Sequence, residues 1–249
     1  VYSEKLKAVV IEGSESAERL CHAACEESLE LFLNRQRVAS ILATPEMLEE
    51  LALGYLVCEG AVEDPSEILN IKIEGGGIFV ETRPSRDLEL WFELRSSGCV
   101  GARWAEEEEV VVTSKTVFSP RVIWESLEFL ESEVYQRTRG IHAACLVTPE
   151  GECAVKAVDV GRHNALDKVV GRALKLGLKL ENFFLLSSGR QSAGMVLKAA
   201  RAGIPLVATK TAPLNSGVHA ARKCNLTLAC YASPGGRLVI FSHPWRVQI

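Results

Sequence analysis

The 249 residues predict an α/β protein of two lobes: a three-layer α/β/α domain over residues 116–249 and a smaller α+β lobe over residues 1–115. Three observations point there. From residue 154 onward, short apolar runs alternate with stretches of helical period, 154–160 with 164–177, 183–187 with 190–202 and 205–209 with 215–223. Before residue 116, apolar runs are separated instead by short Gly-, Pro- and Asn-containing turns. The charge also changes sign: the first 115 residues carry 11 Lys+Arg against 23 Asp+Glu, the rest 17 against 9, within a total of −4.

Taken in order, residues 29–33 and 38–42 read as two strands around a turn at 34–37. A helix follows, with Thr44 as N-cap and Pro45 at the first helical position, carrying Leu48, Leu51, Ala52 and Tyr55 on one face and ending near Gly60. Residues 68–73, 78–82 and 88–94 read as strands, and the four glutamates 106–109 as a solvated loop. Residues 122–135 form one amphipathic helix, with Ile123, Leu127, Leu130 and Val134 on a stripe. Runs at 143–148 and 154–160 form a hairpin through Pro149, and 227–232 and 238–242 complete the sheet.

Two strand-to-helix turns carry the chemistry. The run ending at Gly161-Arg162-His163 leads into a helix that Asn164 can cap, and the run 183–186 leads through Ser188-Gly189-Arg190 into the next helix. Free N–H groups at a helix start favour an anion, and an arginine grips one with two hydrogen bonds. In an α/β sheet such turns gather at the carboxyl ends of the strands, so both sets should share one edge. A phosphate-rich ligand follows. Nucleic acid does not, because the basic residues form no dense tract and have no interleaved aromatics. No Walker-type glycine-lysine loop occurs.

The most apolar long stretch, residues 47–62, is interrupted by Glu49, Glu50, Glu59 and Gly60, so no membrane span is expected. The first residues lack a basic-then-apolar export pattern, which predicts a cytoplasmic protein with reduced thiols. The eight cysteines include no Cys-x-x-Cys pair, and no protein-bound metal is expected.

These residues resemble the FdhD-type formate dehydrogenase accessory sulfurtransferases over most of the chain. The resemblance rests on Asn34, the stretch 44–60 (TPEMLEELALGYLVCEG), 96–101 (SSGCVG), 138–144 (TRGIHAA), 159–168 (DVGRHNALDK), 188–190 (SGR) and 198–203 (KAARAG). It implies a cytidine-deaminase-like fold for the C-terminal domain and a homodimer. It also implies sulfur transfer, as a cysteine persulfide, from a cysteine desulfurase to the molybdenum (or tungsten) bis-guanine-dinucleotide pterin cofactor of formate dehydrogenase. Sulfur transfer needs an exposed, mobile thiolate. Cys99, in a glycine-flanked loop, fits best, whereas Cys145, Cys153 and Cys230 lie in apolar strands. Many members carry two cysteines in this loop where this chain has one, and Arg139 stands where the family usually has glycine. One cysteine suffices to hold a persulfide.

Ligand chemistry then assigns Arg162 and Arg190, with Gly161, Gly189 and Ser188, to phosphates. His142 and His163 are assigned to phosphate or pterin, or to proton movement. Asn164, Asp167 and Lys168 lie on the first helical turns, with Asp167 facing a guanine edge or bracing the helix; Tyr231, Ala232, Ser233, Pro234, Gly235 and Gly236 form a turn suited to a guanine. Two other readings stand beside this one. A zinc deaminase fails for want of the glutamate beside His142 and of any Pro-Cys-x-x-Cys. A non-catalytic chaperone that binds the cofactor and delivers it to the dehydrogenase shares every feature except the use of Cys99.

Overall fold

The structure, a computed structural model, describes residues 1–83, 91–94, 100–103 and 110–248, with 91–94 and 100–103 described as backbone. It is a mixed α/β fold of two six-stranded sheets and a two-stranded ribbon. The ribbon, β1 (Ser3–Glu12) and β2 (Glu15–Ala24), is antiparallel and largely solvent-exposed. The N-terminal sheet contains β3 (Glu27–Leu33), β4 (Gln36–Ala43), β5 (Ile68–Glu74), β6 (Gly77–Thr82), β7 (Trp91–Leu94) and β8 (Val100–Arg103). Its spatial order is β5-β6-β3-β4-β8-β7. Alternate residues Leu29, Leu31 and Leu33 pack with Ile41, Ile78 and Val80 beneath α1 (Leu48–Cys58). Every residue of α1 from Leu51 to Cys58 is buried, as expected of a helix apolar on all sides.

The second side of α1 meets the C-terminal domain. There the connection α2 (Pro120–Glu125), a 3-10 turn (Ser126–Leu130) and α3 (Glu133–Thr138) precede β9 (His142–Val147) and β10 (Cys153–Asp159). After these come α4 (Arg162–Lys175), β11 (Phe184–Ser187), α5 (Ala193–Arg201), β12 (Leu206–Thr209), α6 (Asn215–Lys223), β13 (Thr227–Ser233) and β14 (Arg237–Ser242). The order is β10-β9-β11-β12-β13-β14, with β11, β12 and β13 mutually parallel and the flanking pairings antiparallel. Leu146, Leu185, Val207 and Leu228 face α4 and α5, whereas Cys145, Phe184, Leu186 and Ala208 face Phe118, Ile123 and Leu127. That alternation gives three layers.

Helices α1 and α4 touch backbone to backbone. A Cβ on Gly54 would fall 1.8 Å from the Asp167 carbonyl oxygen, and one on Gly171 would fall 1.9 Å from that of Glu50. By Val112 the chain has reached the end of α6, where its N–H donates to the Cys224 carbonyl at 2.9 Å. Buried Arg246 closes the same seam by donating to the carbonyls of Ser114 and Asn225.

Several expectations change. The ribbon spans residues left without an assignment. The first helix starts at Leu48, after Met47 in a left-handed conformation (φ 54°), and Thr44 is not its cap. Thr44 instead turns inward, where its N–H, hydroxyl and carbonyl all bond to the C-terminal domain. The single helix expected over 122–135 is broken because Ser119 and Ser132 each cap a separate start. The expected strand at 88–94 is described only from Trp91, and the glutamates 106–109 lie outside the described residues.

Candidate functional site

The carboxyl ends of β11, β12 and β13, the start of antiparallel β9 and the end of β10 form one edge of the C-terminal sheet. His142, Gly161-Arg162-His163, Ser188-Gly189-Arg190, Lys210-Thr211 and Tyr231 all lie there. A cleft of about 450 Å³ opens at this edge, lined by Tyr135, Arg139, His142, Ser188, Lys210 and Thr211, among others.

The Ser188 turn is built by the strand before it and held from both sides. Ser188 Oγ accepts from the Ala143 N–H at 2.9 Å and lies 3.2 Å from His142 Nδ1. The Ser188 hydroxyl therefore bridges the Ala143 amide and the imidazole. The Gly189 carbonyl accepts from Gln191 Nε2 at 2.8 Å and from Thr209 Oγ1 at 2.9 Å. Gly189 is required, because a Cβ there would sit 2.7 Å from Arg162 Cβ. The two predicted turns are therefore in contact through the Arg162 stem.

Positive charge accumulates at Arg162 and Arg190. Among the described residues neither Arg162 nor Arg190 meets a carboxylate. Burial, and then Arg190, push the Arg162 guanidinium below its ordinary range, and its buried Nε has no hydrogen-bond acceptor among the described residues. Burial, and then Arg162, hold His142 below the ordinary 6.5. Arg139 and Lys210 lie over the Tyr135 ring at 5.0 and 5.6 Å, and Lys210 is 3.6 Å from Glu131. A desolvated donor beside a second cation is costly alone, and an anion relieves both costs.

Other expected residues are spent elsewhere. Asn164 is not the cap of α4, a position held by Gly161. It donates to the Leu42 carbonyl at 2.7 Å and to Asp159 at 2.9 Å. Lys168, wholly buried, bonds Asp159 and the Thr44 carbonyl. Asp167, 1% exposed, binds Lys198 Nζ at 2.7 and 2.8 Å. These three face α1 and the α5 side, so they join the lobes and no ligand contact is assigned to them. His163 lies against Gly194 at the start of α5. Tyr231 (φ 54°) donates its N–H to the Thr211 carbonyl, beside the cleft, and its exposed ring has the Arg237 guanidinium 5.6 Å from its centroid. Ala232 and Ser233 still belong to β13, and the turn of Pro234, Gly235 and Gly236 ends against Trp124. Cys99 lies outside the described residues; β8 begins at the next residue and pairs with β4 at Ser40.

Sequence reasoning missed Tyr135, Lys210 and Thr211. The run 209–213 (TKTAP) after a short apolar strand was a readable signal for the last two.

Fold and site together define an α/β protein with a cationic cleft at the carboxyl edge of its parallel strands. The sequence profile of the FdhD/NarQ family matches residues 24–248, and the chain belongs to that family. It is 37% identical over 210 residues to the sulfur carrier protein FdhD of Methanothermobacter thermautotrophicus, covering 82% of this chain and 83% of the relative. The protein of the same description from Wolinella succinogenes is 31% identical, over 90% of this chain and 82% of its own. A crystal structure assigned as a formate dehydrogenase accessory protein, from Desulfotalea psychrophila, superposes over the whole of both chains with a TM-score of 0.84 at 29% identity.

Proposed function

We propose that this protein is a sulfur carrier for formate dehydrogenase, a sulfurtransferase of the persulfide-relay type. Cys99 takes sulfur from a cysteine desulfurase, and the guanine-dinucleotide pterin cofactor of molybdenum or tungsten is the bound substrate that receives it. The observation that carries this reading is Arg162: a partly buried guanidinium whose buried Nε has no acceptor among the described residues, pressed against Gly189 and beside Arg190, on a chain of this family. The donor set suits a pyrophosphate. A cleft of about 450 Å³ is of small-ligand size and takes one nucleotide arm of the cofactor, leaving the sulfur-receiving end outside. Arg162, Arg190 and Lys210 hold phosphate oxygens, His142 and Ser188 move a proton at the cleft wall, and Tyr231 contributes an aromatic edge. Arg139 adds positive charge at the mouth.

In the relay, the Cys99 thiolate attacks the outer sulfur of the donor persulfide, the S–S bond breaks, and the donor leaves as a thiolate. The acidic lobe, residues 1–115, presents the Cys99 loop, and the basic lobe, 116–249, binds the substrate. The mixed sheet with three central parallel strands supports a deaminase-like ancestry for the second lobe. We further assign a cytoplasmic location and a homodimer.

Intact-protein mass spectrometry after incubation with a cysteine desulfurase and cysteine tests the proposal. A reducible gain of about 32 Da is expected on the natural chain and not on Cys99→Ala. Equal gain on both would move the carrier to another cysteine. Gain on neither, with an active desulfurase, would favour the cofactor-binding chaperone.

A further inference from the structure

The ribbon of β1 and β2 ends where the family profile begins, and among the described residues its strands pair only with each other. A two-stranded ribbon is marginal in water without a third strand or a packed layer. The register sets Val9 opposite Glu18, Ile11 opposite Ser16, Lys7 opposite Leu20, Lys5 opposite His22 and Ser3 opposite Ala24, so these residues share one face. That face is covered at its base. His22 and Ala24 are partly buried, and Ala24 Cβ lies 3.2 Å from where Gly140, just past α3, would carry a Cβ. Toward the tip it is bare, with Val9, Ile11 and Leu20 64%, 71% and 62% exposed.

The outer edge of β2 is open as well. Cys25 donates its N–H to the Tyr2 carbonyl, so the odd-numbered residues of β2 bond to β1. Ser16, Glu18, Leu20, His22 and Ala24 therefore turn their N–H and C=O groups outward, a template for a further strand.

We propose that this edge pairs with the same edge of a second copy, antiparallel about a two-fold axis at Leu20, and forms the interface of the homodimer assigned above. Charge selects the register. Centred on Leu20, the pairing sets Glu18 opposite the partner's His22 on both sides of the axis, with no like charges opposed. Centred on Glu18 or Arg19, it would set like charges face to face. His22 Nδ1 lies 3.1 Å from Ser3 Oγ, which leaves Nε2 for the carboxylate. An axis normal to the ribbon keeps both bare faces on one side. Each tip, with Val9, Ile11 and acidic Glu12 and Glu15, then runs over the other copy's α3 end, where Arg137 and Arg139 lie. Strands of ten residues make a ribbon about 34 Å long and about 10 Å wide. Each copy thus gives about 340 Å² and receives as much, close to the roughly 800 Å² per partner of a stable interface.

This interface rests on the homodimer reading, and two measurements on the full chain separate them. In sedimentation velocity the natural chain should run at twice its own mass. Leu20→Lys, which opposes two cations at the axis, should run at the single mass with an unchanged circular dichroism spectrum. Leu20→Cys in a Cys21→Ser background brings two thiols to about 5.5 Å at Cα, within disulfide reach. Diamide should link that variant into a dimer that dithiothreitol releases. Cys21→Ser alone should stay unlinked, as should Ser16→Cys in the same background, whose thiols stand about 27 Å apart along the strands. A monomeric natural chain would overturn the homodimer and this interface together. A dimer that survives Leu20→Lys, or no link in Leu20→Cys, would keep the homodimer and overturn the interface.

Discussion

At Arg162 the local sequence and the structure agree on a turn between a strand and a helix, because a glycine-arginine turn at a strand end needs only its neighbours to be read. His142 gives that agreement a measurable consequence. Its imidazole is held below 6.5 by burial and by the Arg162 charge. An anion that neutralises Arg162 lifts that restraint, so His142 titrates higher in the complex and binding takes up protons. Affinity for a guanosine diphosphate probe should therefore rise as pH falls from 7.5 toward 6. Calorimetry in two buffers of different ionisation heat should show proton uptake that His142→Gln removes; buffer-independent heats would contradict this arrangement. Asn164, Asp167 and Lys168 were illegible for a definite reason. Their i, i+3 and i+4 spacing marks a helix face but does not say that α1 covers it, from more than a hundred residues away.

Among the elements, the α1–α4 crossing is the least tolerant of added volume. Gly54→Ala places a methyl group inside the Asp167 carbonyl, and the helices must part. Overpacking of this kind costs about 1–3 kcal/mol or more, so urea denaturation should show a clear loss. Gly177→Ala, with open space around it and only a positive φ to strain, should lose about 1–2 kcal/mol. Beside the crossing, Lys198 meets two carboxylates, Asp167 and Glu59, in a dry setting. Burial works against the charge of Lys198, but the two carboxylates outweigh it and hold the lysine well above its ordinary range. Each carboxylate has only a share of one cation, and burial lifts Asp167 from 3.8 to about 6. A raised carboxyl favours the fold fully below about 3.8, and that contribution is lost as pH rises through about 6. Asp167→Asn should flatten the slope of stability against pH between 4 and 6, read from urea midpoints; an unchanged slope would place the titration elsewhere. Strand alternation and helix period made most elements legible. The break near Ser132 and the late start of α1 were not, because side-chain caps and a tertiary hydrogen bond decided them.

Across the whole molecule the lobes are joined by buried polar contacts as well as apolar ones. Asp159 accepts from Thr44, Gly161, Asn164 and Lys168, all within one sealed volume. Lys168→Met removes the cation and leaves that carboxylate uncompensated, a loss of about 3–5 kcal/mol. Pairing it with Asp159→Asn should recover part of the loss, and tryptophan fluorescence and circular dichroism should report one shared transition throughout. Separate transitions would show that the halves unfold independently. The change from turn-linked strands to strand-helix units was legible from pattern, but the seam was not, because neither hydropathy nor period records which distant surfaces meet. That seam also sets an order of events during synthesis. Thr44 and Leu42 wait for partners 115 to 124 residues further along the chain. At ribosomal speeds of about 5–20 residues per second, the delay is roughly 6–25 seconds. For that interval α1 has only the N-terminal sheet beneath it, and the stripe destined for α4 stands open to whatever else is being made nearby.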